Sequence, residues 1–446
     1  MLPIICFTQS DGLDMKNVIA TNRFGLGASL HELEHASDDP VAYVLGQIAP
    51  IAFENADTSH DIALKLQRFR KEDSEKSKDD ARKFIQTTYR QLSTETLHNA
   101  VNSTQSFMWR MLDFFSNHFS VSAQGSYLKA LSPMLEREAI APNLLGKFSD
   151  MLLSVSRHPV MLSYLNNEKS FGLNSRLGKK GKGLNENLAR EILELHTLGV
   201  NGGYKQSDVI ALANGISGWS IQSPEKNEHN LFFFRQAGHE PGTQKMLGKT
   251  FSQDNQEQGE AMLRSLAAHP STAEFVSRKL VKHVISDDPT PALLKHIEGT
   301  WKQTAGDLKA IYIELVTHPD SWLSTCRKFK TPREFFISTH RGLNLKALKG
   351  GYAIRSLVEM GQAPFKAGTP AGYEDTEAFW NSGYGLMARA NWVSSLAITK
   401  HNDISELADK LLGSTLSKNT QQMVARAESR ERALALLLMS PEFMRR

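Results

Sequence analysis

The chain has 446 residues and a formal net charge of +4, from 52 basic and 48 acidic side chains, with 40% apolar and 22% charged residues. That is the balance of an ordinary globular protein, with basic residues spread along the chain rather than gathered into a nucleic-acid-binding patch. Two cysteines, Cys6 and Cys326, exclude a disulfide scaffold and a cysteine-rich metal site, and no apolar run reaches the length of a membrane span.

The first residues, MLPIICFTQSDG, hold a short apolar run with no basic start and no clear small-residue cleavage site. They predict no secretory signal and favour a cytoplasmic location. From residue 40 onward, apolar residues recur three and four apart, most clearly over 104–119, 143–157, 257–269, 306–318 and 431–439. The charged stretch 70–83 reads as a solvated helix or linker. Four joints, RHP (157–159), AHP (268–270), THP (317–319) and MSP (439–441), place a proline where the next helix should begin. Proline suits the first turn, and the Ser or His before it can cap exposed N–H groups.

The stretch 174–185, NSRLGKKGKGLN, reads as a mobile basic loop. Arg176, Lys179, Lys180 and Lys182 lead there into a helix N-terminus, a combination suited to phosphate, sulfate or carboxylate. The loop lacks the spacing of a nucleotide P-loop, and a merely solvated connector is the plainer reading. The next segment, NENLAREILELHTLGV (185–200), predicts a helix opened by Asn185 and closed at Gly199. One face is apolar. Asn187, Arg190, Glu191, Glu194 and Thr197 form a polar stripe, and His196 falls on the apolar side. An amphipathic surface helix with an Arg190–Glu194 pair explains that pattern without any function.

Strand signals are few. NLFFFR (230–235) is the clearest, as one arm of a small hairpin near 230–250. The Pro/Gly-rich stretch 361–375 reads as an ordered loop crossing the core. The fold class is therefore mainly α, and no boundary divides residues 1–446, which read as one large helical unit.

At this point the segments resemble a bacterial family, catalogued as domain of unknown function 1800. The resemblance rests on GLNENLAREILELHTLGVNGGYKQSDV (183–209), FFSNHFSVS (114–122), EREAIAPNLLGKFSDMLLSVSRHPVMLSYLNN (136–167), KTPREFF (330–336) and MGQAPFKAGTPAGY (360–373), with shorter matches between them. It covers 20–446 and implies a mainly helical fold without an assigned activity. It also implies exported relatives, so a periplasmic or secreted location stands beside the cytoplasmic one, and a sulfatase-like partner protein.

The resemblance further implies that the polar stripe faces something other than plain solvent. Charges buried against other helices need partners, because unpaired burial is expensive. The expectation is that residues from the matched segments, among them Asn117, His118, His239, Lys245, Arg278, Lys279, Arg389 and Asn391, converge on Arg190, Glu191 and Glu194. Such a cluster is either a structural ion-pair network or an active cleft.

In the active reading, Glu191, Glu194, His118 and His239 supply acid–base groups. Asn187, Arg190, Lys245, Arg389, Lys179 and Lys182 hold a polar or anionic substrate. No metal ligands are assigned, since Glu-x-x-Glu-x-His differs from the Glu-x-x-His of dimetal bundles and His196 points away. No cofactor is identified. Ser116 reads as a helix-surface residue, and no nucleophile motif is present. The competing expectation is a non-catalytic binding or assembly partner of a sulfatase-like protein.

Overall fold

Helix boundaries in this chain are set by small chemical devices, and the corners between helices show them best. The computed structural model describes residues 14–227, 230–325, 327–345, 347–348, 350–396 and 403–446. The N-terminal stretch read for a signal, and both cysteines, lie outside the described residues. Within them are 22 α-helices, several short 3₁₀ and π turns, and two antiparallel two-stranded sheets, so the protein is mainly α. No described helix is long and apolar enough to cross a membrane.

At three of the four joints the capping group is an imidazole. Nδ1 of His158 accepts from the Val160 N–H at 3.3 Å. His269 accepts likewise from Ser271 at 3.2 Å, and His318 from Asp320 at 3.2 Å. Each histidine precedes a proline at the first helical position, which has no N–H to satisfy. At the fourth joint, the Ser440 hydroxyl accepts from Phe443 N at 3.2 Å.

The charged stretch 70–83 is not a linker. It holds the end of helix Ser59–Glu72 and the start of the 28-residue helix Glu75–Asn102, broken at Asp73 with φ 40°. Thr58 and Ser74 cap the two helices by accepting from Asp61 N and Ser77 N. Ile85, Leu92 and Leu97 then carry the long helix into a connected apolar core that runs from Ile19 to Met444.

The strands fall near where aromatic density placed one. Phe232–Phe234 pairs with Trp219–Ile221, and Gln244–Met246 pairs with Lys249–Phe251. Leu247 (φ 49°) and Gly248 (φ 77°) form the tight turn of the second pair, where both central residues need positive φ.

Buried ions join distant segments. Glu334, 2% exposed, opens helix Pro332–Gly342 in a capping box with Thr331. Its Oε1 also accepts from Arg110 Nη1, and stands in an ion pair with Arg446, whose Nε is 2.8 Å away. Arg110 passes its remaining donors to Gly25 O (2.9 Å from Nε) and Asn22 O (3.2 Å). Arg446 passes its own to Val284 O at 2.8 Å and to His283 O. Burial works to raise the Glu334 carboxyl, but Arg446 and Arg110 beside it hold it well below the usual glutamate range.

A carboxylate whose folded pKa is depressed contributes stability above its unfolded pKa and loses it as pH falls through the folded one. At neutral pH the contribution is complete. Removing the charge while keeping the shape, Glu334→Gln, leaves two buried guanidiniums short of their partner and should cost about 3–5 kcal/mol. The measurement is the urea midpoint at pH 7; an unchanged midpoint would show that the network contributes no net stability.

Candidate functional site

The polar stripe begins one residue later than the sequence predicts, with Glu186 rather than Asn185 at the N-cap. Asn185 Oδ1 accepts from Asn187 N at 2.9 Å, and Gly199 closes the segment at φ 80°. Between them the backbone departs from α geometry: helix Asn187–Glu191 continues as a π turn over Ile192–Thr197, with Leu198 N reaching Leu193 O at 3.0 Å. His196 is buried on the apolar side.

The stripe is a half-exposed surface network. Arg190 bonds Glu186 at 3.1 Å, Gln206 at 2.9 Å and Glu194 at 3.5 Å, while its side chain keeps 38% exposure. Asn187 is exposed. Burial pushes the Glu191 carboxyl up, helped by Glu194.

The other expected partners are dispersed. His118 lies buried, its Nε2 3.1 Å from His196 O, and burial lowers its pKa well below the ordinary value. The two rings are 6.1 Å apart, so His118 does meet this helix, but on its apolar side, through His196. His239 bonds Ser217 O at 3.0 Å and lines a separate hollow with Arg176 and Glu240.

Arg389, fully buried, donates to Lys330 O at 2.8 Å and lies over the Phe329 ring at 4.7 Å. Lys245 and Lys179 are exposed, and exposed Lys182 stands over the Phe171 ring at 4.7 Å. The basic loop is tied at its start, where Leu177 N donates to Ala237 O at 2.9 Å and Asn174 N to Glu240 at 2.8 Å.

A different group of residues converges. Helix Ser106–His118, the π turn Leu135–Ile140, the start of helix Pro332–Gly342 and the loop 361–375 border a narrow cleft that opens to solvent. None of the stripe residues lines it.

Glu136 sits in its wall, 4% exposed. Unlike Glu334, it takes its hydrogen bonds from hydroxyls: Ser116 Oγ at 2.5 Å and Thr96 Oγ1 at 3.4 Å. Burial pushes its carboxyl up, against the opposing pull of Arg333. Asp113 stands nearby as an ion pair with Arg333 at 2.7 Å.

Across the lining, His283 Nδ1 meets Asp375 Oδ2 at 2.9 Å, and Lys328 approaches the same carboxylate at 3.3 Å. Burial works to raise Asp375, but His283 and Lys328 overcome it and hold the group below the usual range. With Asp375 ionised, His283 donates from Nδ1, which leaves Nε2 as the basic atom of the neutral ring. Nε2 is buried and has no hydrogen-bond partner.

The loop is fixed by one side chain. Asn117 accepts from Tyr373 N at 2.7 Å and donates to Tyr373 O at 2.9 Å. This approach is possible because residue 372 is glycine: its φ is 86°, and a Cβ there would lie 2.5 Å from Asn117 O. Tyr89 adds a bond from its hydroxyl to Pro364 O at 2.7 Å.

Several of the segments on which the family resemblance rests, 114–122, 136–167, 330–336 and 360–373, contribute to this cleft, and a family model described as a protein of unknown function, DUF1800, matches residues 19–445. The chain belongs to the DUF1800 family. No curated protein and no solved structure matches it.

Within this DUF1800 chain, the residue that sequence reasoning passed over is Glu136. A signal for it existed. Pro133 interrupts the helix Gly125–Met134, and the run Glu136, Arg137, Glu138 follows inside an otherwise apolar stretch. A proline within a helix followed by buried charge marks a local change of backbone, here a π turn.

Two stability measurements separate the stripe from the cleft. Arg190→Ala should shift stability by no more than about 1 kcal/mol, the range of exposed pairs. Gly372→Ala should cost more, about 1–3 kcal/mol, since it combines positive φ with a backbone clash. A larger loss for Arg190→Ala in the same denaturation series would reverse that ranking.

Proposed function

We propose that the protein is an enzyme whose acid–base chemistry takes place in the Glu136 cleft rather than at the stripe Asn187–Glu194. Glu136 supplies the proton, and His283, oriented by Asp375, accepts one. What carries the reading is the contrast between two buried carboxylates. Glu334 is surrounded by arginines and fixed as an anion, whereas Glu136 is solvated by hydroxyls at the edge of a cleft. A carboxyl whose pKa is raised above its ordinary value, paired with a base in a different environment, is the usual arrangement for proton transfer.

The expectation of Glu191, Glu194, His118 and His239 acting together gains little support. His118 is sealed in the core, and His239 lines another hollow.

A second reading, a non-catalytic assembly partner such as one for a sulfatase-like protein, draws on exposed apolar side chains. Phe379, Tyr384 and Met387 are 52%, 76% and 62% exposed on neighbouring short helices. Copurification tests it: a stable complex lost on Tyr384→Glu would favour assembly.

For the enzyme reading, Glu136→Gln keeps shape and removes the titrating proton. Screened on aryl glycosides, esters and phosphates, any turnover should fall about 100-fold or more, the range of general acid–base contributions. Glu194→Gln should leave it nearly unchanged.

Stability gives an independent readout with the opposite sign. A carboxylate with a raised folded pKa binds more protons folded than unfolded, so stability falls as pH rises through that range. Glu136→Gln should therefore match or exceed the wild-type Tm at pH 7 and lose that advantage at low pH. Full turnover in the variant, or a lower Tm at pH 7, would sink the assignment.

A further inference from the structure

The charges of the cleft are balanced within it. Asp113 is paired with Arg333, and Asp375 with His283 and Lys328. At the exposed rim stand one cation and one anion, Lys366 and Glu374. A charged ligand seated among the buried pairs would have to break one of them to be neutralised, leaving the abandoned partner without its counter-charge.

Four buried atoms of lining residues have no hydrogen-bond partner: Arg333 Nε and Asp375 Oδ1, which stand in the ion pairs above, and Ser93 Oγ and His283 Nε2, which stand in none. A buried polar group in that state calls for a partner. Hydroxyl groups suit both atoms, because a hydroxyl donates to an imidazole lone pair and accepts from a serine.

Two aromatic residues, Tyr373 and Phe365, also line the cleft. Phe365 does so at φ 51°, a conformation that a bulky side chain adopts at an energetic cost. Its carbonyl is held by Ala123 N at 2.8 Å, and the preceding Pro364 carbonyl by Tyr89. Strain of this sort persists where the surroundings over-determine it, and it clusters at ligand sites.

Resting on the acid–base reading of the same site, we infer that the cleft takes a neutral polyhydroxylated ligand, a sugar ring or short saccharide. Its hydroxyls would meet Ser93 and His283, and its carbon face would lie on Phe365. The expected site for a polar or anionic substrate comprised Asn187, Arg190, Lys245, Arg389, Lys179 and Lys182, none of which lines this cleft.

The test is calorimetric titration of the full chain at pH 7 with maltotriose, cellotriose and N-acetylchitotriose. Glucose 6-phosphate and spermidine serve as the charged arms. At least one neutral saccharide should bind saturably, with the charged arms weaker.

Phe365→Gly removes the ring and suits the positive φ. It should weaken binding about threefold to tenfold, with Phe365→Trp restoring it and Tm recorded alongside to verify folding. Binding unaffected by Phe365→Gly, preference for a charged arm, or no saccharide binding overturns the inference. Turnover on a charged compound that Glu136→Gln abolishes would overturn the saccharide while upholding the acid–base site. Saccharide turnover unchanged by Glu136→Gln would do the reverse.

Discussion

An anion cannot stay buried without company, and the rest of this structure follows from how Glu334 is accompanied. Taking a carboxylate out of water costs several kcal/mol, which only close and well-directed cations offset. Arg110 and Arg446 do so, and each has further N–H groups that must also be satisfied. Those donors fall on Asn22 and Gly25, and on His283 and Val284. A single charge thereby fixes the relative positions of the first π turn, helix Ser106–His118, helix Pro270–Val284 and helix Pro332–Gly342. His283 and Arg333, which line the cleft, sit on two of those elements.

The cleft inherits rigidity from this frame but not its charge state. Glu136 lies on a turn of π geometry, where the backbone bulges and reaims its side chains. Hydroxyl partners solvate a carboxyl in either protonation state, whereas guanidinium partners lock it ionised. The same residue type thus serves two purposes within one protein, according to which atoms surround it. The loop 361–375 completes the wall, with the Asn117 amide bonding its backbone as a neighbouring strand would.

Much of the fold was legible because helix periodicity and corner chemistry are local. Proline after histidine announced three corners, and Gly199 announced a helix end. The family segments also marked the parts of the chain that meet. What could not be read was the pairing across distance. Arg389 had the makings of a ligand-binding residue, yet it serves the Lys330 carbonyl and the Phe329 ring. His118 and His196 are polar by name and core by position. Spacing describes one helix at a time, so the stripe at 187–194 stood out while Glu136 did not. Its importance depends on Ser116, twenty positions away, and on Thr96, forty away.

The imidazole corners have one more consequence. Each works because Nδ1 offers a lone pair to a backbone N–H, and an imidazolium has none to offer. At His158 the tautomer is also spoken for from the other side, since Nε2 meets Glu138 Oε2 at 2.8 Å. Serine or aspartate corners lack this property in common, as hydroxyl and carboxyl oxygens keep an acceptor when protonated. The joints at 158, 269 and 318 therefore each fix which ring nitrogen carries the lone pair, a choice that a serine or aspartate corner never has to make.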